Sequence, residues 1–182
     1  EAGNYEFTMA AAADELLASV VSEKLDIALI PANVASVLYQ KTEGQVSVID
    51  INTLGVLSII SGDSSIASWS DLAGKTVYLT GKGTTPDYVL QYLLKERASL
   101  DGFSPEDVTL EYKSEAAEIA AILKENPEAV GLLPQPFATV AMSQNEALRT
   151  VFDLTEEWDK LQTENNSRLV TGVTVVRNGF LE

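Results

Sequence analysis

The chain has 182 residues, 46% of them hydrophobic, which is enough apolar content for one domain or two small lobes. Its 27 acidic residues outnumber 12 basic ones, giving a net charge of −15, the wrong balance for neutralising nucleic-acid phosphates or an anionic membrane surface. Cysteine and histidine are both absent, which excludes disulfides, thiol nucleophiles, Ser-His-Asp triads and thiolate or imidazole zinc sites.

Residues 5–10 are aromatic and β-preferring and predict a short strand. Residues 14–24 predict a helix with Leu16, Leu17, Val20 and Val21 on one face. Residues 26–30 form a short apolar run of the kind found in buried parallel strands, and residues 34–40 a second helix. Residues 46–51 predict a strand, and an apolar run continues over 54–60 beyond Thr53. No apolar run reaches the ~18 residues that span a bilayer.

After the turn at Gly62-Asp63-Ser64-Ser65 the alternation restarts. Strands are expected at 76–80, 108–112, 129–133 and 150–154. The intervening helices cover 85–97, the stretch from a Ser114 cap to Asn126, and a segment through Ala141. Ser104-Pro105-Glu106 has the chemistry of a capped turn. Thr155 is expected to cap a short helix at 156–161, and 169–176 is an alternating strand rich in valine and threonine.

Such βα alternation predicts mainly parallel sheets flanked by helices. The expected division is a first lobe of residues 1–56 and 168–182 and a second of 57–167. The apolar segments 54–60 and 169–176 are expected to run side by side between them. The opening strand has no parallel partner before it and the closing strand lies near the last residue, so the first lobe is expected to be incomplete. Apolar surface left uncovered on residues 5–30 would then favour dimerisation or segment exchange.

Gly74-Lys75-Thr76 is not a phosphate loop, because Trp69 stands where the first glycine is required and a strand follows rather than precedes it. Gly81-Lys82-Gly83-Thr84-Thr85-Pro86 does follow a strand and open a helix. Pro86 spoils a dinucleotide fingerprint, yet two glycines, two hydroxyls and a helix N-terminus suit backbone contact with a ligand. Pro31-Ala32-Asn33 and Pro134-Gln135-Pro136 occupy matched positions after buried strands, where open α/β sheets place ligands. The ligand-binding candidates are therefore Ala32, Asn33, Thr53, Gly83, Thr84, Thr85, Pro134 and Gln135. The acidic pairs Glu115/Glu118 and Glu156/Glu157 read as solvated helix faces, and Trp69 and Trp158 as packing residues.

Trp69-Ser70-Asp71-Leu72-Ala73-Gly74-Lys75-Thr76-Val77, then a strand, the 81–86 loop and a long helix, resembles the central signature of substrate-binding proteins of the nitrate/taurine/thiamine-precursor importer class. Residues 25–35, Ser104-Pro105-Glu106-Asp107-Val108-Thr109, Leu133-Pro134-Gln135-Pro136-Phe137 and Val173-Thr174-Val175-Val176-Arg177 fit in the same order. The resemblance implies a two-lobed type 2 periplasmic-binding-protein fold, truncated at both ends relative to longer family members. It further implies a small-molecule ligand, an ABC permease in the membrane as partner, and an extracytoplasmic location, periplasmic or as a cell-surface lipoprotein. No catalytic residue, metal or cofactor is implied. Two rivals share the architecture: an enzyme of vitamin or quinone precursor metabolism, and the effector domain of a transcriptional regulator. The Asp71-Leu72-Ala73-Gly74-Lys75 signature favours the transport receptor.

Overall fold

The computed structural model describes residues 5–10, 13–162, 164 and 166–181. They divide into two units, one holding the described residues up to Asn52 together with those from Gly172 onward, the other Thr53–Thr171.

In the first unit, helix α1 (Ala13–Val21) buries Leu17 and Val20 one turn apart, and α2 (Ala32–Lys41) buries Val34, Ala35 and Leu38 at the i, i+1, i+4 spacing of one helical stripe. Between them strand β1 (Ile27–Pro31) buries Ala28 and Ile30 while Leu29 stays exposed, the period-two alternation of a sheet covered on one face. Strand β1 pairs antiparallel with β8 (Val170–Arg177), Leu29 opposite Thr174. Strand β2 (Val46–Leu54) completes the order β1-β8-β2 as an edge strand, with Val48, Ile49 and Ile51 exposed. The short helix α7 (Asn178–Leu181) follows β8.

The second unit is a five-stranded sheet of order β5-β4-β6-β3-β7. Its strands are β3 (Leu57–Ser61), β4 (Thr76–Thr80), β5 (Thr109–Lys113), β6 (Val130–Pro134) and β7 (Arg149–Asp153). Every residue of β3 is buried, because both faces are covered. Leu57 and Ile59 pack into one apolar cluster with Val77, Leu79, Leu90 and Leu93. Ile60 joins a second cluster with Ile119, Leu123 and Leu133. The covering helices are α3 (Thr85–Asp101), α4 (Ala116–Glu125), α5 (Phe137–Gln144) and α6 (Leu154–Leu161). Gly131 lets α4 approach β6, since a Cβ there would lie 2.6 Å from Ile119 Cγ2.

Several expectations are corrected. Residues 5–10 form no strand, and Phe7 and Met9 are 90% and 98% exposed; β-propensity without a neighbouring ladder does not make a strand. The segment 54–60 does not run beside 169–176 as one piece. Strand β2 ends at Leu54 beside β8, whereas β3 lies between β6 and β7 in the other sheet. Neither sheet is mainly parallel: in the second unit β4 is parallel to β5 and β6 but β3 is antiparallel to both its neighbours, and in the first β1 is antiparallel to β8. Glu115, not Ser114, is the N-cap residue of α4. Asp153, not Thr155, caps α6, its carboxylate accepting the N–H groups of Thr155 and Glu156 at 2.8 and 3.2 Å; a carboxylate serves two donors where a hydroxyl two residues later is already inside the helix.

Candidate functional site

Parallel pairing of β4, β5 and β6 brings their carboxyl ends to one edge of the second unit's sheet. Antiparallel pairing of β3 sets Leu57 opposite Pro134 and Ser58 opposite Asp153, so the start of β3 and the end of β7 come to that edge too. The loops gathered there are 55–56, 81–84, 114–115, 135–136 and the Asp153 turn. Loops at the carboxyl ends of an α/β sheet sit where its ligands bind, because helix N-termini and unpaired backbone groups converge there.

The 81–84 loop is shaped from within. Gly81 and Gly83 both have positive φ, 72° and 75°, a region open to glycine at no steric cost. The Thr84 N–H and its hydroxyl both donate to the Gly81 carbonyl, at 2.9 and 2.6 Å. Thr84 is the N-cap residue of α3 by position, without a side-chain capping bond, and Thr85 is buried. The loop's principal anchor is Asp87, which the sequence reading passed over. Only 3% exposed, it accepts the Gly83 N–H at 2.8 Å, Gln91 Nε2 at 2.6 Å and the Tyr112 hydroxyl at 2.8 Å. Burial pushes the Asp87 carboxyl up, but those three donors and the charge of Lys82 outweigh it and hold it below its ordinary value. Tyr112 is correspondingly pushed up to about 12 by burial and by the neighbouring carboxylate. Lys82 stands over the Tyr112 ring, its Nζ 5.2 Å from the centroid. An aspartate three residues inside a helix start is the signal that marks such an anchor.

Pro134 ends β6, and the Gln135–Pro136 bond is cis. Gln135 is exposed; its N–H donates to the Val56 carbonyl at 3.0 Å and its Oε1 accepts from the Thr139 hydroxyl at 2.8 Å. Thr53, half-buried, is the penultimate residue of β2, just before the β2–β3 connection at 55–56. There Gly55 is pressed against Thr155, and a Cβ on it would fall 1.7 Å from Thr155 Oγ1. Gly83, Thr84, Thr85, Pro134 and Gln135 are thus brought to one sheet edge. Ala32 and Asn33 lie in the first unit, in the opening turn of α2 directly after β1, and the Asn33 carbonyl accepts the Ser36 hydroxyl at 2.7 Å.

An open cavity of about 510 Å³ occurs in the first unit, lined by Val20, Glu23, Lys41, Gln45 and Arg177 among others. Its one arginine is already paired with Glu23 and Asp26 at 3.1 and 2.7 Å. Among the described residues no group of three or more acidic side chains could hold a metal ion, and no helix is long and apolar enough to cross a membrane.

No protein-family model matches the chain, and no curated protein matches it. Solved structures do. An ABC transporter protein from Parabacteroides distasonis superposes with a TM-score of 0.70 at 22% identity, over 91% of this chain and 53% of that one. The periplasmic aliphatic sulphonate binding protein SsuA from Escherichia coli gives 0.65 at 15% identity, over 93% and 53%. The ligand-binding component of an ABC-type import system from Staphylococcus aureus gives 0.60 at 15% identity, over 92% and 53%. The chain therefore spans about half the length of the structures it matches. These likenesses, at such low identity, are of fold, and the chain carries the α/β fold of the periplasmic substrate-binding proteins of ABC importers.

Proposed function

We propose that the protein is an extracytoplasmic solute-binding receptor that delivers a small molecule to an ABC permease by cleft closure. The observation that carries this reading is the sheet edge of the second unit, where the 81–84 loop, preorganised by Asp87, and the 135–136 loop follow neighbouring strands. Ala32 and Asn33 occupy the matching position after β1 in the first unit. Ligand contacts are assigned to Ala32, Asn33, Thr53, Gly83, Thr84, Thr85, Pro134 and Gln135. Binding that engages both units would bias a hinge equilibrium, which lets a permease distinguish loaded from empty receptor. The edge presents donors and acceptors without a base-activated nucleophile, which favours binding over turnover.

The sulphonate named for the Escherichia coli neighbour does not carry over, since shared fold does not fix ligand. The periplasmic neighbours support an extracytoplasmic location, and lipoprotein anchoring belongs to the same proposal. So does self-association through exposed side chains such as Leu29 and Ile51, which sedimentation would detect.

Native mass spectrometry of the purified protein tests the reading, with calorimetric titration of whichever molecule is retained. Gln135→Ala and Asn33→Ala are each expected to weaken binding by about 0.5–1.5 kcal/mol, the net value of one hydrogen bond. Chemical conversion of the retained molecule, or affinity unmoved by either substitution, would replace the receptor with an enzyme or relocate the site.

A further inference from the structure

The sheet edge of the second unit carries a specificity that its neighbours' names do not supply, and the inference rests on reading that edge as a ligand site. A glycine-rich loop at a helix N-terminus ordinarily welcomes oxoanions, because free N–H groups and the helix dipole point the same way. Here those resources are spent internally. The Gly83 N–H is held by the Asp87 carboxylate at 2.8 Å and the Thr84 N–H by the Gly81 carbonyl at 2.9 Å. A full negative charge, 3% exposed and fixed by two further donors, therefore sits on the loop donor that an oxoanion would need. The neighbouring helix repeats the pattern: Asp153 accepts the Thr155 and Glu156 N–H groups at the start of α6. At α5, Gln135 Oε1 accepts the Thr139 N–H at 3.3 Å.

Most cations that could reverse this balance are already paired. Arg97 pairs with Glu157 at 2.7 Å and Arg168 with Asp159 at 2.6 Å. Arg149 begins β7, at the far end of the strand from Asp153, and donates to the carbonyls of Asp63 and Ile66 at 3.1 and 2.7 Å. Arg177 is paired with Glu23 and Asp26 in the first unit. Lys113 is held by Glu111 at 2.6 Å. Lys82 alone stands in the loop, and it is laid over Tyr112, the residue that donates to Asp87.

We infer that Asp87 is a specificity-determining residue that closes this edge to oxoanions, so that the ligand taken there is uncharged or cationic. Its carboxylate fixes the glycine loop and, by the same bond, repels any sulfonate, sulfate or phosphate approaching it. An amide, a hydroxyl or an ammonium group meets no such repulsion, and the oxygen of the exposed Gln135 amide can accept from all three.

The test titrates the protein and its Asp87→Asn variant with sodium sulfate and sodium ethanesulfonate by calorimetry, ionic strength being held constant with chloride. The unaltered protein is expected to show no saturable uptake of either anion. Asp87→Asn keeps an acceptor for Gly83 but removes the charge, and is expected to show saturable sulfate binding at least about tenfold tighter than the weakest binding the titration of the unaltered protein could detect. Saturable anion binding by the unaltered protein, or no gain in Asp87→Asn, overturns the inference. Should Asp87→Asn fail to fold, the unaltered protein and Tyr112→Phe, which keeps the carboxylate, decide it: both are expected to take up no sulfate, and uptake by either overturns it. Failure of the receptor reading has a different signature, namely that no retained small molecule is found in the purified protein.

Discussion

The indole N–H of Trp69 donates a 2.8 Å hydrogen bond to the carboxylate of Glu157, 88 residues later in the chain. Glu157 also receives Arg97 at 2.7 Å and Lys160 at 2.6 Å. One 6%-exposed carboxylate thus joins the short helical turn Trp69–Leu72 to α3 and α6. Burial pushes the Glu157 carboxyl up, but Lys160, the indole and Arg97 together bring it below its ordinary value. Replacing Glu157 by alanine strands the Arg97 guanidinium, which is mostly buried, and is expected to cost about 3–5 kcal/mol. Glu157→Gln keeps an acceptor for the indole and should cost less. Urea denaturation of both variants checks this; a loss in Glu157→Gln as large as in Glu157→Ala would show that the charge alone matters and that the retained acceptor contributes nothing.

Acid should unfold the protein partly through the same group. A carboxyl whose folded pKa is depressed contributes stability above its unfolded pKa and loses it as pH falls through the folded value. Melting temperature is therefore expected to fall through the lower carboxyl range, less steeply in Glu157→Gln than in the unaltered protein.

Gly55 and Thr155 make a steric pair, a Cβ on Gly55 falling 1.7 Å from Thr155 Oγ1 and 2.8 Å from its Cβ. Gly55→Ala is expected to destabilise by about 1–3 kcal/mol through overpacking. Thr155→Gly removes the obstacle, so the double variant should recover part of that loss, and a double-mutant cycle should return a favourable coupling. Strictly additive effects would mean that the two segments move apart freely.

The Asp153 cap on α6 is expected to be worth about 1 kcal/mol, lost in Asp153→Ala and largely kept in Asp153→Asn, which still offers an acceptor. Equal melting temperatures for all three proteins would contradict it.

Tyr112 carries a base-side prediction. With its folded pKa pushed up to about 12 by burial and by Asp87, the protein binds a proton there that the unfolded chain releases nearer 10. Stability from this group is complete below about pH 10 and declines as pH rises toward 12. Absorbance titration of the phenols should show a late-ionising tyrosine that is lost in Tyr112→Phe and shifted downward in Asp87→Asn.

Local pattern sufficed for much of the second unit. The strand expected at 76–80 is β4, and α4 buries Ile119 and Leu123 as its spacing required. The α/β class and the likeness to importer binding proteins were legible because hydrophobic period and glycine placement are short-range properties. Which strand pairs with which was not. An apolar run such as 54–60 declares burial, but only the mates Leu133 and Phe152, brought from far along the chain, decide that β3 enters the second sheet. Residues 5–10 had the propensity and found no ladder. Asp87 looked like one acidic residue in a helix start; its role appears when folding delivers the Tyr112 hydroxyl from β5 and turns the Gly83 N–H inward. Propensity and period are written residue by residue, whereas strand order and the charge of a sheet edge depend on which distant groups share a dehydrated space, and only the tertiary structure sets that.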